Sequence, residues 1–252
     1  MRIVIDAGHY TGYNQSPVYP AYREGNMTWK LYLKLKAELI KRGYTDIITT
    51  RGNQSKDIEV YQRGQTAAGA DLFISLHSNA VGQEATRRVV VIPPYIDTND
   101  TYKLANELAQ AVTDTMGIDQ KYQIYTRTFI DTAGKTRDYY GVIRGAVDAG
   151  CKRSLIIEHS FHTNTASAKW LYDENNLQKL AEKEADVIAK FLAGQTPGKQ
   201  TYHVGEHYTV KATDKYSNGN PVAKFTIGKS YEIGRVLPDR ILLKDINSWV
   251  VV

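Results

Sequence analysis

Two histidines and two glutamates in this chain each sit where an apolar, strand-like run stops, and their types suit metal-assisted hydrolysis. The segments read Arg2-Ile-Val-Ile-Asp-Ala-Gly-His9, Arg23-Glu24-Gly-Asn26, Asp71-Leu-Phe-Ile-Ser-Leu-His77 and Leu155-Ile-Ile-Glu158-His159. Parallel strands of an α/β sheet place their carboxyl ends along one edge, and ligands collect in the crevice there. Residues far apart in sequence would meet at that edge. Two imidazoles and a carboxylate form a set that zinc accepts with one position left for water, and a second carboxylate nearby can move protons.

Each residue carries its own argument. His9 follows Asp6-Ala-Gly8, and the glycine is expected to let the backbone turn sharply. His77 ends a buried run amid Ser75, Ser78 and Asn79, polar groups that need partners or a function there. Glu24 taken singly is a glutamate beside a helix start, where the positive terminus favours it. Glu158 ends the apolar run Leu155-Ile-Ile, where desolvation would raise its pKa toward neutrality, as suits a group that takes and returns a proton. His159 alternates to the opposite face of the strand and is expected to miss a metal. His162 is a candidate oxyanion donor or substrate contact. No HExxH helix or CxxC pair occurs, so the common zinc-protease and structural-zinc signatures are absent.

The elements that must hold these groups follow from periodicity. Strand character begins at Ile3. Met27, Leu31, Leu35 and Leu39 recur every fourth residue, with Lys41 and Arg42 in the last turn and Gly43 as the residue that ends the helix. A strand at Asp46 to Thr50 follows. Asp57 is expected to cap a helix reaching about Gly69, which leads into a buried strand at Leu72 to Leu76. Val89 to Ile92 reads as a strand and Thr101 to Met116 as an amphipathic helix. Asp119 to Gly150 offers only short β-like pieces between Tyr122 and Phe129. A strand at Ser154 to Glu158 precedes helices near Thr165 to Tyr172 and Asn176 to Ala193. This alternation predicts an α/β domain with a mainly parallel or mixed sheet flanked by helices, over residues 1–194.

Residues 195–201 read as a linker, and 202–252 as a small all-β module with strands at Tyr208 to Val210, Ala223 to Ile227, Ser230 to Ile233, Ile241 to Leu243 and Trp249 to Val252, enough to close a small barrel.

Composition bounds the function classes. In a 252-residue chain, 42% hydrophobic and 23% charged residues argue for a globular protein over a disordered one. The net charge of +5 comes without a long Lys/Arg run, so no nucleic-acid partner is expected. No apolar stretch approaches the roughly 18 residues of a membrane helix, so no membrane partner is expected either. The one cysteine, Cys151, forms no internal disulfide and reads as a packed residue. With no charged and apolar leader ahead of Ile3, the expectation is synthesis in a cytoplasm without a signal peptide.

Together the four segments resemble the zinc-dependent N-acetylmuramoyl-L-alanine amidases of the Amidase_3 type, which hydrolyse peptidoglycan. The resemblance rests on Ile5-Asp-Ala-Gly-His9, Glu24, Thr50-Arg51, Arg63, Ala70-Asp-Leu-Phe-Ile-Ser-Leu-His77-Ser-Asn-Ala80, and Ile157-Glu158 continuing to Phe161 and Asn164, and it spans residues 1 to about 193. It implies His9, Glu24 and His77 as ligands of a Zn²⁺ cofactor and Glu158 as general base and acid, cleaving the amide between N-acetylmuramic acid and L-alanine. The chain departs from the family in the loop Tyr10 to Tyr22. Many relatives are glycine-rich there, whereas this chain carries Tyr10, Tyr13, Tyr19 and Tyr22, a difference that bears on specificity and leaves the implied metal site intact.

The tail resembles the small SH3-like wall-binding modules of phage endolysins from clostridia and bacilli, through Lys229-Ser-Tyr-Glu-Ile233 and Arg240-Ile-Leu-Leu-Lys-Asp-Ile-Asn-Ser-Trp249-Val. Residues 198–252 hold eight Lys or Arg against five Asp or Glu, which favours an anionic wall. Tyr208, Tyr231 and Trp249 could contact sugar, though filling the barrel is the simpler use of each. The expectation is a phage endolysin, made in the host cytoplasm and released through a holin onto the peptidoglycan of a Gram-positive wall, with no obligate protein partner. Three alternatives carry the same residues: a host autolysin or sporulation amidase, a wall-binding protein without activity, and a zinc peptidase cutting between amino acids, which only the resemblance disfavours.

Overall fold

A computed structural model describes residues 1–82, 87–96, 99–195, 204–237 and 240–251. The elements run β1 (Arg2–Ala7), α1 (Glu24–Lys41), β2 (Asp46–Thr49), α2 (Val60–Gln65), β3 (Leu72–Asn79), β4 (Arg88–Ile92), α3 (Thr101–Met116), β5 (Lys121–Ile124), β6 (Thr128–Ile130), β7 (Thr136–Asp138), α4 (Gly141–Asp148), β8 (Ser154–Phe161), α5 (Thr165–Tyr172) and α6 (Glu174–Gln195). Four strands follow: β9 (His207–Thr209), β10 (Ser230–Leu237), β11 (Arg240–Leu243) and β12 (Ser248–Val251). The chain divides into two compact units, Met1–Phe191 and Leu192–Val252. Gln195 closes α6, and residues 196–201 of the expected linker lie outside the described residues. Among the described residues no helix is long and apolar enough to cross a membrane.

The first unit is built on a six-stranded sheet in the order β2-β1-β3-β8-β4-β5. β2, β1, β3 and β8 run parallel, and β4 meets β8 antiparallel before pairing parallel with β5. The sheet is therefore mixed, with its four parallel strands contiguous. Ile3, Val4, Ile5, Leu72, Phe73, Ile74, Leu76, Leu155 and Ile157 are all buried, the pattern of strands covered on both faces. In α1 the four expected positions Met27, Leu31, Leu35 and Leu39 are buried, and Gly43 at φ +90° ends the helix in the left-handed region.

Register decides what shares a face. Val4 pairs with Phe73 and Asp6 with Ser75, while Ser75 pairs with Ile156 and His77 with Glu158. Val4, Phe73 and Ile156 pack with Ala67, Val142, Ile143 and Ala146, so this face is covered by α4 and the chain around α2. Asp6, Ser75, His77 and Glu158 therefore point toward the same side. The two helices cross almost backbone to backbone. A Cβ on Gly145 would come within 2.1 Å of the Tyr61 carbonyl oxygen, and one on Gly64 within 2.2 Å of the Val142 carbonyl oxygen.

Several elements differ from expectation for local reasons. The α2 cap is Glu59, whose side chain accepts from the Gln62 amide, while Asp57 pairs with Arg63 Nη2 at 3.3 Å. The segment from Asp119 to Gly150 holds β5, the β6–β7 hairpin and α4. In the second unit β9 to β12 form an antiparallel sheet in the order β12-β11-β10-β9. Tyr208, Val210, Val222, Tyr231, Ile233, Ile241, Leu243 and Val250 make its core, so Tyr208 and Tyr231 fill the interior. The strand expected at Ala223 to Ile227 is a 3-10 turn at Lys224–Thr226, because the Thr226 hydroxyl donates to the Ala223 carbonyl at 2.6 Å and closes the chain locally. That leaves four strands among the described residues of this unit, one fewer than expected.

Candidate functional site

Glu24 sits at the centre of the site. It is the first residue of α1, so it enters from a helix terminus and not from a strand end. Its Oε1 lies 3.0 Å from His77 Nδ1 and accepts from the Ser78 amide at 2.9 Å, while its Oε2 lies 3.2 Å from His9 Nε2. Asn14 Nδ2 donates to the same Oε2. Burial opposes charge on this 1% exposed carboxyl, yet hydrogen bonds and charge from His77 and His9 prevail and hold it far below the usual carboxylate range. Burial likewise opposes a charged His77, but the Glu24 hydrogen bond and charge lift it to about 9.

His9 reaches Glu24 through unusual backbone. Its own φ is +60°, a left-handed conformation that costs a non-glycine residue of order 1–3 kcal/mol. The expectation that Gly8 makes the sharp turn is corrected here. Gly8 is needed for close approach, since a Cβ on it would lie 2.4 Å from His77 Cε1 and 2.6 Å from the Leu76 carbonyl oxygen. The strained turn is clamped by two arginines that the sequence resemblance contains. Arg63 donates to the carbonyls of Ala7 at 3.1 Å and His9 at 3.0 Å, and Arg51 donates to that of Ala7 at 3.0 Å. Tyr13 stacks on the His9 ring with centroids 4.5 Å apart.

Arg63 also answers a buried charge. Asp6 is fully buried, accepts from Thr50 and Ser75 hydroxyls, and pairs with Arg63 Nη1 at 3.2 Å. An Arg63→Ala variant is expected to lose about 3–5 kcal/mol, because it strands the Asp6 carboxylate in the core. Equilibrium denaturation by guanidinium chloride measures this, and a loss below about 1 kcal/mol would contradict the assignment.

Glu158 lies beside His77 by register and opens on a cleft of about 550 Å³ whose walls include His9, Glu24, His77, Tyr139, Tyr140 and Arg144. Its Oε2 is buried with no hydrogen-bond partner. Burial pushes its carboxyl up to about 7, with His77 pulling it back and Glu24 adding to the rise. A protonatable carboxyl that lines ligand-sized space and has one buried oxygen without a partner is equipped for proton transfer.

The neighbouring histidines have other duties. His159 is fully buried on the opposite face, bonding the His77 carbonyl at 2.8 Å through Nδ1 and Glu184 Oε1 of α6 at 2.7 Å through Nε2. His162 is 1% exposed and does not line the cleft. It stacks on Tyr22, bonds the Ser78 hydroxyl and carbonyl at 3.0 Å, and stands 4.0 Å from Glu24 Oε2. Burial lowers its pKa. The oxyanion or substrate-contact role expected for His162 does not fit this place behind Ser78 and Glu24, where it supports the site from the rear.

Sequence reasoning missed Asn14, the Ser78 amide and the wall from Tyr139 to Arg144. Asn14 gave a signal in its type, since asparagine tolerates the left-handed conformation it adopts at φ +57°.

His9, Glu24 and His77 each offer a ligand atom within 4.8 Å of the others, and this set could hold a metal ion. Two imidazoles and a carboxylate are a donor set that zinc accepts with one position left open, so the residues fit that ion. A mixed α/β sheet that brings two imidazoles and two carboxylates into one cleft has the groups a hydrolase of the α/β class would use. The profile of the Amidase_3 family, described as N-acetylmuramoyl-L-alanine amidase, matches residues 3–190, and the chain belongs to that family of peptidoglycan amidases.

Solved structures share the fold. Cwp6 from Clostridium difficile superposes with a TM-score of 0.64 at 21% identity, covering 76% of this chain and 29% of Cwp6, so the chain spans less than a third of that protein. The catalytic domain of CwlV, an N-acetylmuramoyl-L-alanine amidase from Bacillus (Paenibacillus) polymyxa var. colistinus, gives a TM-score of 0.61 at 21% identity, covering 76% of this chain and 98% of that one. The CwlD amidase from Clostridioides difficile, solved in complex with the GerS lipoprotein, gives 0.61 at 21% identity, covering 77% and 98%. No curated protein sequence matches the chain.

Proposed function

We propose that this chain is a zinc-dependent N-acetylmuramoyl-L-alanine amidase, with His9, Glu24 and His77 as the metal ligands and Glu158 as general base and acid. One observation carries the reading: three convergent donor atoms share a cleft with a carboxylate whose Oε2 has no partner. A zinc ion, when bound, supplies Lewis acidity for the lactyl carbonyl and for the attacking water. Glu158 accepts the proton of that water as the new C–O bond forms. It then delivers the proton to the L-alanine nitrogen as the C–N bond breaks, leaving a free amine and a lactyl carboxylic acid that ionises in solution. Arg51, Arg63 and Tyr13 hold His9 in the conformation this requires.

The biological setting we propose is lysis of a Gram-positive host by a phage endolysin. An SH3-like wall-binding module in residues 202–252 would hold the enzyme on peptidoglycan after release through a holin. The separate four-stranded unit with its own core supports this organisation. A host autolysin or sporulation amidase of the same chemistry is the second reading, favoured by the similarity to the CwlD amidase.

The experiment is lysis of purified Gram-positive walls beside a zinc assay. One zinc per chain and lysis abolished by chelation are expected, and lysis that survives metal removal would overturn the mechanism. Zinc affinity should also depend on pH. The His77 proton, lost near pH 9 in the free site, must leave when metal binds, so affinity should rise about tenfold per unit between pH 7 and 9. Competition with a chromophoric chelator checks this, and flat affinity over that range would contradict it.

A further inference from the structure

The cleft that holds Glu158 is also lined by a cation the mechanism does not use. Arg144 of α4 donates from Nη1 to the carbonyls of Asp138 at 2.8 Å and Tyr139 at 3.1 Å. Its guanidinium also lies 5.2 Å from the Phe129 ring and 5.8 Å from that of Tyr61. Carbonyls and rings fix its orientation without neutralising it. Among the described residues it forms no ion pair; Arg137 on the adjoining strand pairs with Asp131 at 3.9 Å and with Asp148, and the buried Asp138 feels the Arg144 charge without a salt bridge to it. A guanidinium held in place without a salt bridge in a ligand-sized cleft can meet an anion, and a carboxylate matches its planar fork.

Resting on the amidase reading, the source of that anion follows from the substrate's chemistry. The lactyl carboxyl of the muramoyl sugar is consumed in the scissile amide, so the sugar offers no carboxylate beside the bond. The peptide does. A cleft of about 550 Å³ is the size of a site for a small ligand, and the first acidic residue of the stem is the one after L-alanine. We infer that Arg144 is a specificity residue that binds a free carboxylate on the second residue of the stem peptide, so that the enzyme discriminates against walls in which that group is amidated.

The test uses the full chain with zinc and two synthetic muramoyl tripeptides, each ending in lysinamide, that differ only in a carboxylate or a carboxamide on the second residue. For the unmodified enzyme, kcat/KM for the carboxylate form should exceed that for the carboxamide by about 10- to 100-fold, as a charged hydrogen bond would give. Arg144→Ala should bring the ratio near one, and Arg144→Lys should restore part of it. Because a ratio measured on one preparation is independent of how much protein is folded, a stability defect cannot imitate the result. A ratio near one in the unmodified enzyme, or a ratio retained in Arg144→Ala, would overturn the inference while leaving the amidase reading intact. Failure to cleave either compound at the lactyl amide would overturn both.

Discussion

Replacing Glu158 with alanine should lower hydrolysis of the lactyl amide by about 10²- to 10⁴-fold while one zinc stays bound and the chain stays folded. The size follows from the loss of both proton transfers, from water to carboxylate and from carboxylate to amine. Folding should be spared because the buried Oε2 has no partner to lose, and a carboxyl raised to about 7 is one the fold holds at a cost. Glu158→Gln should be equally inactive, since the amide keeps the shape and cannot accept the proton. Wall binding should persist in both. Unchanged turnover in either variant would remove Glu158 from the mechanism.

His77→Ala should have the larger effect on metal, leaving less than one tenth of the chains loaded at micromolar zinc and turnover at background. Two losses combine. A donor disappears from a three-donor set, and the buried Glu24 carboxylate loses one of its two imidazole partners. The metal-free variant should also be less stable than the metal-free parent by about 3 kcal/mol, since breaking a buried pair leaves charge uncompensated. Zinc analysis after gel filtration and denaturation in the presence of a chelator separate the two effects. Full zinc occupancy in His77→Ala would show that the metal sits elsewhere.

Much of this site could be read from the chain because strands impose a strict alternation. His77 and Glu158 fall in register on adjacent parallel strands, so the apolar runs that precede them locate both, and the same alternation sends His159 to the far face. Glu24 was less visible, being a carboxylate at a helix start where ordinary helix electrostatics is sufficient reason for one. The part played by Gly8 was misassigned, because close approach to another side chain leaves the same glycine in the sequence as a left-handed turn does. The cleft wall from Tyr139 to Arg144 escaped notice for a related reason. α4 carries Gly141 and Gly145, poor helix formers that the tight crossing with α2 demands, so its local signal contradicts its structure. His162 drew attention by residue type alone, and burial behind Ser78 assigns it to support.

The central claim is the bond broken, and mass spectrometry of fragments released from purified Gram-positive walls tests it most directly. Digestion by the zinc-loaded chain should yield intact stem peptides beginning with L-alanine, together with glycan strands whose lactyl groups end in carboxylate, and chelation should stop their appearance. New amino termini within the peptide, or cuts in the glycan, would contradict the account even if zinc were present.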